Sequence, residues 1–149
     1  MVVVDNGSSD GSDDMALAWS DRLPDLRVVY ALDRTGCSHA RNVGARAARG
    51  DFLAICDADD VVEPRWLEAM VEAGRRCDIV GGRLDQISLN SPLARSWRPS
   101  LPEDHLQVAF GFLPYAVGGN CGIRVEVLRA LGGWREDLQL PPEQPWKTE

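Results

Sequence analysis

The chain has 149 residues, 23 acidic against 16 basic side chains, and a net charge of −7. That balance excludes a general nucleic-acid binder, which needs a basic face. A 44% hydrophobic and 26% charged composition is that of a globular domain with one real core, not of a disordered segment.

Val2-Val3-Val4 reads as a buried β-branched strand. Asp5 to Ser12 is a run of turn formers. Ser12 or Asp13 can cap a helix to about Arg22, with Met15, Leu17, Ala18 and Trp19 in apolar contacts and Pro24 ending it. Leu26 to Leu32 is a second strand. In the next helix, His39 to Arg49, Ser38 is the expected N-cap and Gly50 the C′ stop. Ala40, Val43, Gly44 and Ala47 share one face of it, and Gly44 implies close packing of helix on sheet. Phe52 to Cys56 has the length and apolarity of a strand buried on both faces. Pro64 is the expected first residue of a helix to Arg76, with Leu67, Met70 and Val71 inward. Asp78 to Leu84 is a further strand. This β-α-β-α-β-α-β order predicts a Rossmann-like α/β fold, a mostly parallel sheet flanked by helices. From Asp85 to Gly111 the periodicity dissolves around Pro92, Pro99 and Pro102, as in a long functional loop. Gly118-Gly119-Asn120 is a turn, Cys121 to Ile123 a short strand, and Val125 to Leu131 a helix stopped by Gly132-Gly133. The tail from Leu138 to Glu149, with Pro141, Pro142 and Pro145, shows no period.

No apolar run approaches the roughly 18 residues of a membrane span, and Met1 leads into Val2 without a basic flank or cleavage site. The expectation is a cytoplasmic protein without a transmembrane segment. Cys37, Cys56, Cys77 and Cys121 form no C-x-x-C pair, which argues for reduced thiols and against zinc. His39 and His105 are the only histidines, and no G-x-S-x-G elbow accompanies them, against a Ser-His-Asp hydrolase.

The chemistry gathers at the end of the Phe52–Cys56 strand, where Asp57-Ala58-Asp59-Asp60 follows. Ligands of open α/β sheets sit at the carboxyl ends of strands. Two carboxylates one residue apart make a hard oxygen site for Mg²⁺ or Mn²⁺ carrying a substrate's phosphates. A solvated turn or a helix cap would use the same residues, and a lone D-x-D is a weak signal. Asp5, also at a strand end, can accept the imide N–H of a pyrimidine base or a ribose hydroxyl; an Asx turn is the equal alternative. A calcium loop on Asn6, Ser8 and Asp10 fails because Leu17 stands where a bidentate Glu is required. Arg41, in the first turn of its helix, can reach a phosphate or a base. Arg46 and Arg49 read as solvated charges. A metal held by these acids would neutralise a diphosphate leaving group.

Val2-Val3-Val4-Asp5-Asn6-Gly7-Ser8-Ser9-Asp10-Gly11-Ser12 resembles the nucleotide-binding loop of family 2 glycosyltransferases with the A-type fold. Gly36, Ala40-Arg41-Asn42-Val43-Gly44 and Ala48-Arg49-Gly50-Asp51-Phe52-Leu53 resemble the next block, and Asp57-Ala58-Asp59-Asp60 the metal motif. Gly119-Asn120, Arg124 and Leu131-Gly132-Gly133-Trp134 resemble the acceptor-side block. These motifs, in order over about residues 2 to 138, are far more specific together than any one alone.

The resemblance implies transfer of a sugar from a nucleotide-diphospho-sugar to a saccharide, lipid-linked or other hydroxyl acceptor, with inversion and with Mn²⁺ or Mg²⁺. It implies a nucleotide-binding half over 1–84, an acceptor-side part over 85–138 and an irregular tail over 139–149. It also allows a peripheral position at the inner face of the membrane. By position, Asp5 and Asn6 would lie at the base, Arg41 would hold the nucleotide, and Asp57 would contact nucleotide and metal. Asp59 would ligate the metal, and Asn120 would lie on the acceptor side. Asn6 stands where many members have a second Asp. The family's first strand and helix are expected before Val2, so the fold reads as incomplete. The acid pair that supplies the general base is expected after Gly-Gly-Trp. Leu140-Pro141-Pro142-Glu143-Gln144-Pro145 stands there instead. Glu143 aligns with the pair's Glu, and Gln144 replaces the base. The alternative is therefore a non-catalytic nucleotide-sugar-binding remnant.

Overall fold

A computed structural model describes residues 1–97 and 105–138. The chain forms two compact units, one of Met1–Gly50 with the described residues from Leu128 on, the other of Asp51–Val127. With helices between its strands and a parallel β1–β2 ladder, the architecture is α/β as the element order predicts.

In the first unit, β1 (Val2–Asp5) pairs in parallel with β2 (Arg27–Tyr30), Val3 opposite Val28 and Asp5 opposite Tyr30. The connection contains α1 (Ser12–Leu17), shorter than predicted. Met15, Leu17 and Trp19 are exposed rather than packed. A six-residue helix has too few turns to present a continuous apolar stripe.

Helix α2 (Cys37–Ala47) begins earlier than the Ser38 cap implies. Gly36 caps it with φ 135°, a conformation that L side chains rarely adopt. The Gly36 N–H is held by Asn6 Oδ1 at 2.6 Å. Nor does Gly50 stop the helix, since Ala48 already turns into extended backbone. Arg27 Nη2 takes the end carbonyl of Ala47 at 2.7 Å. The small-residue face packs on β1 as expected: a Cβ at Gly44 would come within 2.8 Å of Val4 Cγ2.

In the second unit, β3 (Phe52–Cys56) matches its predicted span. Its hydrogen-bonded neighbour is β7 (Asn120–Arg124), antiparallel, with Leu53 opposite Ile123 and Cys56 opposite Asn120. Strand β4 (Ile79–Gly81) pairs with the other edge of β7, also antiparallel. So β3 and β4 run in the same direction, as a β-α-β unit requires, but a returning strand lies between them. The Phe52 ring fills the space left by two glycines. A Cβ at Gly122 would meet it at 2.4 Å and one at Gly74 at 2.5 Å.

Helix α3 (Trp66–Gly74) buries Met70 and Gly74, one turn apart, while Leu67 and Val71 are exposed. Pro64 lies before the helix instead of opening it, because the Trp66 N–H turns back onto the Glu63 carbonyl at 2.9 Å.

In the stretch from Asp85 to Gly111, the described residues hold more regular structure than its prolines suggest. Pro92 is the first residue of α4 (Pro92–Ser96), capped by Ser91 Oγ, which accepts from the Ala94 N–H at 3.2 Å. Strands β5 (Gln107–Ala109) and β6 (Leu113–Tyr115) form an antiparallel hairpin. Its turn places Phe110 and Gly111 at φ 55° and 77°, both positive, as a tight hairpin demands. Helix α5 (Val125–Ala130) follows β7 directly and ends at Gly132-Gly133 as read from the sequence. Among the described residues, no helix is long and apolar enough to cross a membrane.

Candidate active site

Asp5 ends β1 and is buried, 8% exposed. Its Oδ2 accepts from the Gly7 N–H at 3.2 Å and its Oδ1 from the Ser8 N–H at 3.1 Å. These bonds, with that of the Ser8 hydroxyl foremost, hold the carboxyl below its ordinary range, so it is an anion ready to accept from a ligand. Asn6 ties two loops together. Its Oδ1 accepts from Gly36, and its Nδ2 donates to the carbonyls of Arg34, at 2.8 Å, and Ala31. Arg41 falls in the second turn of α2, not the first, because Gly36 starts the helix early; it is half-buried.

The same unit contains a polar cluster that sequence reasoning missed. His39, 4% exposed, places Nδ1 3.1 Å from Glu136 Oε2 and Nε2 2.8 Å from Asp33 Oδ1. A carboxylate on each ring nitrogen favours the imidazolium, in which both nitrogens donate. Asp33 first, then Glu136, raises the His39 pKa against the opposing effect of burial. Asn42 is buried beside it. Its Nδ2 donates to Glu136 Oε1 at 2.7 Å and to the Trp134 carbonyl at 2.9 Å, and its Oδ1 accepts from the Trp134 N–H at 2.8 Å. Arg34 Nη1 adds a bond to Glu136 Oε2 at 3.2 Å. Asn42, and then His39, holds the Glu136 carboxyl below its ordinary range. The available signal was Asn42 itself. A poor helix former at a mid-helix position that turns out buried must be serving a partner. Nothing in the sequence pointed to His39.

In the second unit, Asp57, Ala58, Asp59 and Asp60 leave the end of β3 exposed to solvent. The Asp57 N–H bonds the Gly119 carbonyl at 3.1 Å, and the Asp60 N–H turns back to the Asp57 carbonyl at 3.2 Å. Burial, and then Asp60, Asp57 and Asp59, pushes the neighbouring Cys56 thiol up, which marks a negative field at the strand end. Among the described residues, no three His, Cys, Asp or Glu side chains form a protein-only metal cage. Exposed carboxylate oxygens suit Mn²⁺ or Mg²⁺ in another way, since such ions keep waters and share their shell with substrate phosphates. Asn120, at the start of β7, has its amide engaged on both sides. Its Oδ1 accepts from Trp66 Nε1 at 2.8 Å, and its Nδ2 donates to the Arg83 carbonyl at 2.9 Å. Glu143 lies outside the described residues.

Acids stand at the ends of β1 and β3 in an α/β fold that has a counterpart among solved structures. The mannosyltransferase PcManGT from Pyrobaculum calidifontis, solved with GDP-Man and Mn²⁺, superposes with a TM-score of 0.63 at 26% identity, over 91% of this chain and 38% of that one. The family model "Glycosyl transferase family 2" matches residues 1–132, and the chain belongs to that family. Glycosyltransferase AglE of Haloferax volcanii is 28% identical over 98% of this chain and 49% of its own length. Succinoglycan biosynthesis protein ExoO of Rhizobium meliloti is 41% identical over 60% of this chain and 26% of its own. The chain thus spans half or less of the length of these relatives.

Proposed function

We propose that this chain carries the donor half of a metal-dependent, inverting glycosyltransferase that uses a nucleotide-diphospho-sugar. The observation that carries this reading is the exposed Asp57-Ala58-Asp59-Asp60 run at the carboxyl end of β3, in a fold shared with a mannosyltransferase solved with GDP-Man and Mn²⁺. Asp59 and Asp57 would hold the cation, Asp57 would also meet the nucleotide, and Asp5 would accept from the base. Arg41 would hold the nucleotide, with Asn6 at the base and Asn120 on the acceptor side. A bound Mn²⁺ or Mg²⁺ would supply Lewis-acid neutralisation of the leaving diphosphate. Inversion follows if the acceptor hydroxyl attacks the anomeric carbon from the face opposite the diphosphate and loses its proton to a base. Glu143 is the nearest acid to the family's position for that base. Gln144 cannot accept the proton, and this favours a second reading, a nucleotide-sugar-binding unit without transfer activity.

The test is thermal unfolding with UDP, GDP, dTDP and CDP, each with and without Mn²⁺, on the wild-type chain and Asp59→Ala. A Mn²⁺-dependent rise with one nucleotide, absent in the variant, is the expected result. A cooperative melt that no nucleotide moves would sink the donor-site reading.

A further inference from the structure

Gly119 stands directly behind the Asp57 side chain. A Cβ built on it would lie 2.2 Å from Asp57 Oδ2 and 2.6 Å from its Cγ, well inside contact distance. The Gly119 backbone is not in the left-handed region, so an alanine there is not excluded by its own φ. What alanine lacks is space, and the space is occupied by one carboxylate.

The turn that carries Gly119 has little room to retreat. Its carbonyl accepts from the Asp57 N–H at 3.1 Å, and the Asn120 N–H closes the turn on Val117 at 3.0 Å. The Gly82 N–H takes the Asn120 carbonyl at 2.9 Å. The Asn120 side chain then ties the turn to α3 through Trp66 and to the chain beyond β4 through the Arg83 carbonyl. Close packing adds to this, since a Cβ at Gly82 would come 2.1 Å from Asn120 Oδ1. The backbone is pinned, and every atom the added methyl would meet closely belongs to the side chain of Asp57, an exposed residue, so it would displace the carboxylate and leave the turn in place.

We propose that Gly119 is a positioning residue for Asp57: the missing side chain sets where the carboxylate lies, and the Asn120–Trp66 bond keeps the turn against it. This inference rests on the donor-site reading, because it matters for function only if Asp57 meets the nucleotide and its cation.

The experiment is titration calorimetry of UDP, GDP, dTDP and CDP in the presence of Mn²⁺ on four chains: wild type, Gly119→Ala, Asp57→Ala and the double variant. Thermal unfolding without ligand confirms the fold of each. Gly119→Ala is expected to melt near wild type and to bind the Mn²⁺ nucleotide about ten- to a hundredfold more weakly, as when an outer partner of a metal ligand is lost. The double variant should bind as Asp57→Ala alone, because Gly119 acts through that carboxylate. If Gly119→Ala binds like wild type while Asp57→Ala does not, the inference is overturned. An additive loss in the double variant overturns it equally. If Asp57→Ala binds like wild type, or if wild type binds none of the four nucleotides, the donor-site reading falls and takes this inference with it. Should Gly119→Ala not fold, Trp66→Phe replaces it. That variant removes the Trp66 bond to Asn120 along with part of the indole ring and leaves the Arg83 bond in place, and it should weaken binding in the wild-type background but not in Asp57→Ala. An equal effect in both backgrounds would overturn the proposal.

Discussion

At the scale of single residues, the polar cluster of His39, Asn42 and Glu136 is the best-defined feature of the first unit. Asn42 makes bonds to both backbone groups of Trp134 and to Glu136. Asn42→Ala would take these bonds from the Trp134 backbone and from Glu136 Oε1, and we expect a loss on the order of 3 kcal/mol, read from the urea midpoint. The pH dependence has two limbs. His39 has a raised folded pKa, so its contribution is fully present below its unfolded value near 6.5 and is lost as pH rises through the folded value. Glu136 has a lowered folded pKa, so its contribution is present above its unfolded value and fades as pH falls through the folded one. Asp33, Arg34 and Arg46 are the other charges at the cluster, and Asp33 is shifted in the same direction as Glu136. Stability should therefore peak in the weakly acid range. His39→Gln should flatten the limb above it, and the proton NMR titration of the His39 ring should have its midpoint above 6.5. A midpoint below that value would mean that burial outweighs the two carboxylates.

At the scale of elements, the packing of Phe52 decides how closely β3, β7 and α3 can approach. The ring lies where Gly74 and Gly122 have no side chains. Gly122→Ala should overpack this spot and destabilise by about 1–3 kcal/mol in denaturant melts, and Phe52→Leu in the same chain should recover part of the loss. If the double variant is simply additive, the ring is not what the methyl meets. This element also shows what the sequence could disclose. β3 was legible because five apolar residues end sharply in acids, and α2 was legible because its small residues recur at helical spacing. The neighbour of β3 was not legible, since a local pattern says nothing about which later strand slips between β3 and β4. The hairpin β5–β6 was hidden because three-residue strands are too short for alternation to register. Pro92 misled for a different reason: the same residue that breaks a helix also opens one.

At the scale of the whole molecule, the candidate site was legible as separate motifs, while what supports each motif was not. Asp57 could be read as a ligand from its place after an apolar strand, but the glycine behind it comes from a turn far along the chain. If the motifs form a donor site, a Mn²⁺ nucleotide at about a hundred times its dissociation constant adds about 2.7 kcal/mol to the native state. For a chain of this size that is a rise of roughly 5–10 °C. Binding and transfer then separate on one position. Gln144 stands where the resemblance puts the general base, and an amide cannot take the acceptor's proton at neutral pH. The wild-type chain should therefore bind the donor yet release nucleotide diphosphate from it very slowly, and Gln144→Asp should raise that release with little change in affinity. General-base assistance is worth about a hundred- to ten-thousandfold when correctly placed. Even a tenth of that would be visible as nucleotide release under single-turnover conditions. Equal release by wild type and variant would mean that the proton leaves by another route, and the reading of Gln144 as a lost base would fall.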